Sequence, residues 1–344
     1  MKKYATLKDV AKLAGTTAAT VSYVLNEKEG RYISRETRSR VLKAAKKLDY
    51  IKCNGASYLK GKARKLVAIL VPQFENQFFT RIIVGAEEIF VKHGYDMVIC
   101  NTFDNPERER GIIHRMLQQR VDGILLTPTT EGLKNTAILR RLGIKMVMVD
   151  RPLEGEKDFY WVTTDNYGCG YKGASHLMEK GHKKIAYISW KSNIADLDNR
   201  QKAVLDAAKE FGIPQENIVI KEGEFSADEG YRLTAETLAE NPDVSAFFYG
   251  FNMQALGGIK CLIGRGIDIP KEKSVIMIGS PEWAVTGRNN FTHVNMGGYK
   301  LGGSAAELLM NMIRHPNKKI EKHTIFNCTL VEGDSVSNLC KRVS

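Results

Sequence analysis

Thr6-Leu7-Lys8-Asp9-Val10-Ala11-Lys12-Leu13-Ala14-Gly15-Thr16-Thr17-Ala18-Ala19-Thr20-Val21-Ser22-Tyr23-Val24-Leu25-Asn26 is the stretch on which the fold turns. Thr6 is an N-cap residue ahead of Leu7, and Val10, Ala11 and Ala14 recur at helical spacing on one face. Gly15 ends that helix as a residue free to take the left-handed conformation. Thr17 caps a second helix whose apolar line is Val21, Val24 and Leu25. Beyond a loop bracketed by Asn26 and Gly30, Ser34 caps a third, with Val41, Ala44, Ala45 and Leu48 turned inward. Two short helices joined by a tight glycine turn and braced by a third make a helix-turn-helix.

The charge agrees with that reading. Residues 1–65 carry 17 Lys/Arg against 5 Asp/Glu, whereas the remainder carries 34 of each, so the whole net charge of +12 lies in the first fifth of the chain. Charge segregated in this way favours a polyanion, and nucleic acid over a membrane surface. A generic three-helix bundle gives no reason for the imbalance. The second helix can enter a major groove about 12 Å wide and present Thr16, Thr17, Ala18, Ala19, Ser22 and Tyr23. The two alanines allow close approach to thymine methyl groups but supply no bidentate hydrogen bonds.

Other classes find little support. The six cysteines are scattered without a C-x-x-C pair, the seven histidines are equally dispersed, and no H-E-x-x-H is present. Reduced, mostly buried thiols are expected, with no metal and no cofactor. Lys8, Asp9 and Lys12 interrupt any signal-peptide core, and no apolar run reaches the roughly 18 residues of a membrane span. The expected compartment is the cytoplasm, with no membrane partner.

From residue 66 onward, apolar runs at 66–71, 96–100, 122–126 and 145–149 alternate with helical stretches near 80–93, 107–119 and 133–142. A second series of strands follows at 184–189, 217–221, 245–249 and 274–278. Such alternation predicts parallel sheets covered on both faces, and two series predict two Rossmann-like lobes with a cleft between them.

The stretch 6–26, with Thr37-Arg38, Val41, Ala44 and Leu48-Asp49-Tyr50, resembles the headpiece of the LacI/GalR family of regulators. The likeness continues through Val71-Pro72, Asn76 to Phe79, Asp165-Asn166, Gly181-His182, Arg200, Ala255-Leu256-Gly257 and Ile278-Gly279. It implies an α/β fold with a small all-α headpiece at 1–49, a hinge at 50–65, and a two-lobed periplasmic-binding-protein-type domain at 66–344. The first lobe would hold 66–162 and 291–319, and the second 163–290 and 320–344. It further implies a homodimer on double-stranded DNA with a pseudo-palindromic operator, controlled by a small effector of carbohydrate type. DNA contacts would come from Thr6, Thr16, Thr17, Ala18, Ala19, Ser22, Tyr23, Asn26 and Tyr50, with Leu59 as a minor-groove wedge behind Ala56. Two departures stand out: Tyr23 replaces the usual arginine, and Lys52-Cys53 replaces a Pro-Asn pair in the hinge. Effector contacts carried over by matching residues are Phe78, Phe79, Asp150, Arg200, Phe225 and Asn252. Gly279-Ser280-Pro281-Glu282 stands where relatives carry an acidic ligand-binding residue, so Glu282 is the candidate substitute.

Three rival readings remain. Gly168-Cys169-Gly170-Tyr171-Lys172-Gly173 is literally G-x-G-x-x-G, as in an NAD-binding enzyme, although the next strand ends in Ser189-Trp190-Lys191 without the expected acid. A solute-binding protein would share the α/β module but not the basic headpiece. A chromatin-like protein would bind DNA without preferring a sequence.

Overall fold

The protein is described from a computed structural model covering residues 5–25, 32–50, 63–153, 158–191, 194–285 and 290–340. The chain divides into two compact units, Met1–Ala63 and Arg64–Ser344. Asn26, Lys52-Cys53, Ala56 and Leu59 lie outside the described residues.

The first unit holds α1 (Leu7–Ala14), α2 (Ala18–Leu25) and α3 (Arg35–Lys47). Thr6 and Asp9 form a reciprocal capping box, with the Asp9 N–H donating to Thr6 Oγ1 at 3.3 Å and the Thr6 N–H to Asp9 Oδ2 at 2.8 Å. Gly15 takes φ 62° and ψ 45° and returns its N–H to the Ala11 and Lys12 carbonyls. The Thr17 and Ser34 hydroxyls accept from the N–H groups of Thr20 (3.1 Å) and Thr37 (3.2 Å). Val10, Ala11, Ala14, Val21, Val24, Val41 and Ala44 make the core, with Leu25, Ala45, Leu48 and Tyr50 packed at its edge. These are small side chains, so this unit gains little from apolar burial and leans on its caps.

The second unit opens with β1 (Leu66–Val71), α4 (Gln77–Lys92), β2 (Asp96–Asn101), α5 (Pro106–Gln118), β3 (Gly123–Leu126), α6 (Gly132–Arg141), β4 (Lys145–Val149) and β5 (Tyr160–Thr164). It continues with α7 (Asn166–Glu179), β6 (Ile185–Trp190), α8 (Ala195–Glu210), β7 (Ile218–Gly223), α9 (Ala227–Glu240), β8 (Ala246–Tyr249), α10 (Asn252–Gly264) and β9 (Ser274–Ile278). Last come β10 (Thr292–Asn295), α11 (Gly298–Arg314), β11 (His323–Phe326) and β12 (Thr329–Val331). Two six-stranded sheets result, ordered β11-β5-β4-β3-β1-β2 and β12-β10-β9-β8-β6-β7. Every pairing is parallel except β10 with β12. Central strands are apolar on both faces, and β1 buries Val67 to Val71 between two core clusters.

The boundaries differ from expectation at three places. The Arg64 and Lys65 N–H groups donate to the Asp122 carboxylate at 3.1 and 2.6 Å, which draws 64–65 out of the hinge and into the α/β unit. β10 pairs with β9, and β11 with β5, so the stretch belonging to the first sheet near the C-terminus is 298–326 rather than 291–319. Thr292–Asn295 and His323–Phe326 are short, half-polar strands without an apolar run, and only their register assigns them.

Candidate DNA-binding face and interlobe cleft

On the headpiece, Thr17 and Ala19 are exposed, Thr16, Ala18, Ser22 and Tyr23 are half-buried, and Lys8, Lys12, Arg35, Arg38, Arg40 and Lys43 are exposed cations. The structure refines the roles of several candidates. The Thr6 hydroxyl is tied to Asp9 Oδ2 (2.7 Å) and the Thr17 hydroxyl to that of Thr20 (2.9 Å), so both threonines act as helix caps. Ala18 and Tyr50 pack against the core, leaving Ala19 as the small residue that faces outward.

In the second unit, one cavity with about 30 Å³ of free space is lined from both lobes. Of the candidates, Phe78, Phe79, Asp150, Arg200, Phe225 and Asn252 line it, joined by Asn76, Arg151, Trp190, Leu197, Phe251, Ile278, Gly279 and Met296. The first lobe contributes the start of α4, where Asn76 Oδ1 caps the helix by accepting from the Phe78 N–H at 3.1 Å. The same oxygen accepts from Asn252 Nδ2 of the second lobe at 3.0 Å, a buried bond across the cleft. Asp150 follows β4 at φ 72°, held there by its N–H to the Val162 carbonyl (2.9 Å) and by Thr163 Oγ1 donating to its own carbonyl (2.7 Å).

Two buried guanidiniums each lie over an aromatic ring, and the two rings contact each other. Arg151 donates from Nη1 to Asp104 Oδ1 at 2.7 Å and lies over Trp190 at 5.5 Å. Its buried Nε has no hydrogen-bond partner among the described residues and stands 3.9 Å from Asp150 Oδ2. Arg200, 2% exposed, donates to Asn166 Oδ1 (2.8 Å), the Gly250 carbonyl (2.8 Å) and Met296 Sδ (3.1 Å), and lies 4.6 Å from the Phe251 ring. A thioether is a weak acceptor, so this guanidinium keeps donor capacity for an incoming oxygen. Trp190, Phe225 and Phe251 contact one another edge-to-face at 5.4–5.8 Å. Elsewhere in the first lobe Glu109 is fully buried, and burial pushes its carboxyl above the usual range although Asn135 and Thr129 donate to it.

Glu282 is a correction. Its side chain is 71% exposed and pairs with Arg81 of α4 at 3.2 Å, while its N–H donates to Gln77 Oε1 at 2.5 Å. It clasps the rim between lobes and does not line the cavity. Arg151 and Trp190, which no sequence motif marks, sit two residues beyond β4 and at the end of β6, where parallel sheets present their ligand loops.

The glycine motif is explained by packing. Gly168 donates its N–H to the Asp165 cap at 2.8 Å, so the helix start is already satisfied. A Cβ at Gly170 would stand 2.2 Å from the Arg200 carbonyl oxygen, and one at Gly173 would stand 2.4 Å from the Phe248 ring. These glycines let α7 approach α8 and β8.

Comparison with known proteins agrees with both units. The sequence model for bacterial regulatory proteins of the lacI family matches residues 6–52, and that for periplasmic binding proteins and the sugar-binding domain of the LacI family matches residues 64–331. The HTH-type transcriptional repressor PurR of Vibrio vulnificus (strain CMCP6) is 31% identical over 341 residues, covering 97% of this chain and 99% of that one. The lac repressor dimer bound to operator and the anti-inducer ONPF superposes with a TM-score of 0.83 at 21% identity, covering 97% and 100% of the two chains. A LacI-family regulator from Enterococcus faecium with bound ribose gives 0.72 at 23%, covering 80% and 99%. The chain belongs to the LacI family of DNA-binding transcriptional regulators.

Proposed function

We propose that the chain works in the cytoplasm as a homodimeric repressor that sets one headpiece into each of two successive major grooves, and that a small polyhydroxylated molecule in the interlobe cleft sets its grip. The cleft carries this reading: Asp150, Arg151 and Arg200 converge on one cavity that five aromatic rings also line. Guanidinium donors and a carboxylate suit hydroxyl groups, and Phe78, Phe79 and Phe225 offer faces for a ring. Ribose in a solved relative supports the same class. Thr16, Ala19, Ser22 and Tyr23 read bases, Thr6 and Thr17 order helix ends at phosphates, and Leu59 with Ala56 bends the operator. Exposed Val84 and Val91 on α4 and Ile99 on β2 supply the apolar dimer surface.

The test is selection of preferred sites from a random duplex library, followed by a salt titration and a panel of sugars with the winning site. A palindromic consensus, a slope of about −0.9 per phosphate contact, and a sugar that changes affinity are expected. Equal binding to random duplex would sink the reading.

A further inference from the structure

The two walls of the interlobe cleft differ in charge. On the first lobe, Arg151 donates to Asp104 Oδ1 at 2.7 Å and holds its Nε 3.9 Å from Asp150 Oδ2, so carboxylates of its own lobe balance it. On the second lobe, Arg200 of α8 is the one charged side chain among the described residues that lines the cavity, and it is 2% exposed. Glu282 adds no charge to this wall, since it pairs with Arg81 at the rim. Arg200 is therefore a buried cation whose partners are all neutral: Asn166 Oδ1 at 2.8 Å, the Gly250 carbonyl at 2.8 Å and Met296 Sδ at 3.1 Å. Among the described residues it makes no ion pair. A buried charge is costly unless an opposite charge meets it. The Phe251 ring lies 4.6 Å away, with Trp190 and Phe225 edge-on to it, so a counter-charge here weighs more than it would in water. Its three bonds use one N–H on each nitrogen, which leaves one on each terminal nitrogen. That pair is what a carboxylate takes up in bidentate fashion.

We propose that the effector is an acidic sugar, a hexuronate or an aldonate, whose carboxylate sits on Arg200 while its hydroxyls face Asp150. The orientation follows from the walls. Asp150, with its side chain 7% exposed, repels a carboxylate and accepts from hydroxyls. Arg200 on the opposite lobe gains from a carboxylate what a neutral hydroxyl cannot supply, because a hydroxyl takes one donor and leaves the charge unmet. The free space of about 30 Å³ holds little more than a water or two, so a sugar enters only as the lobes part. Asp150 and Arg200 then close on opposite ends of it, which makes the acidic group the part of the ligand that the second lobe recognises.

This assignment rests on the cleft being the effector site and narrows its ligand class. The full chain is titrated calorimetrically with D-glucuronate, D-galacturonate, D-gluconate and D-galactonate. The neutral counterparts are D-glucuronamide, D-glucose, D-galactose and D-glucitol, with cyclohexanecarboxylate as an acid that lacks hydroxyls. At least one sugar acid is expected to bind about tenfold or more tightly than its neutral counterpart. In Arg200→Lys, which keeps the charge but loses the fork, that preference should fall by about tenfold, with a thermal melt showing that the variant is folded. Neutral sugars that bind as tightly as their acids overturn the proposal in the wild-type chain alone and leave a polyhydroxylated effector standing. Cyclohexanecarboxylate binding as tightly as the sugar acids overturns the sugar half instead. Binding by none of these compounds overturns the acidic sugar and the polyhydroxylated effector together. An unchanged preference in folded Arg200→Lys overturns the role given to Arg200.

Discussion

Single side chains decide how each unit is ordered, and two can be tested directly. The headpiece core is built of valine and alanine, so the Thr6–Asp9 capping box carries a large share of α1. Thr6→Ala should cost about 1 kcal/mol, read as faster hydrogen exchange of the α1 amides in the full chain with the α/β unit unchanged. Glu109 makes the opposite kind of contribution. Burial holds its proton more tightly in the folded than in the unfolded state. Its contribution is therefore favourable at low pH and is lost as pH rises from the unfolded carboxyl value through the raised folded one. Relative to Glu109→Gln, the wild-type chain should lose stability across that window in urea titrations; parallel curves would contradict the assignment. Cap residues were legible in the sequence because their signal is local. The burial of Glu109 was not, because Thr129 and Asn135 reach it from β3's following loop and α6.

Among elements, α7 shows how one motif can carry two meanings. Its glycines match a pyrophosphate turn by spacing alone, without the acid such a site wants, and α8 and β8 set against them give the motif its packing role. Gly173→Ala should destabilise the chain by roughly 1–3 kcal/mol, because the added methyl meets the Phe248 ring. Thermal melts check it, and the wild-type chain should show no saturable NAD binding. The long apolar strands β1, β4 and β9 were legible over their full lengths. The short β10, β11 and β12 were not, since pairing across the sheet rather than periodicity makes them strands.

For the whole molecule, the lobes of the second unit are held closed by the buried Asn76–Asn252 bond and the rim clasp of Arg81 and Glu282. Asn252→Ala removes the buried bond and leaves Asn76 with its cap alone. Small-angle scattering of the ligand-free chain should then show a more open form, with a larger radius of gyration than wild type. An unchanged profile would place closure elsewhere. Glu282→Gln should do less, because an exposed pair is worth little in water.

What the sequence by itself determined is whatever depends on neighbours along the chain: helix caps, periodicity, the segregation of charge and the alternation of strands with helices. These established a basic helix-turn-helix ahead of two α/β lobes. Only the tertiary structure decided which side chains share a site. It gathered Arg151 and Trp190 into the cleft and placed Glu282 at its rim. The reason is physical. The sheets pair strands from distant parts of the chain and the lobes are joined by three separate crossovers, so contact across the hinge leaves no local trace in the sequence.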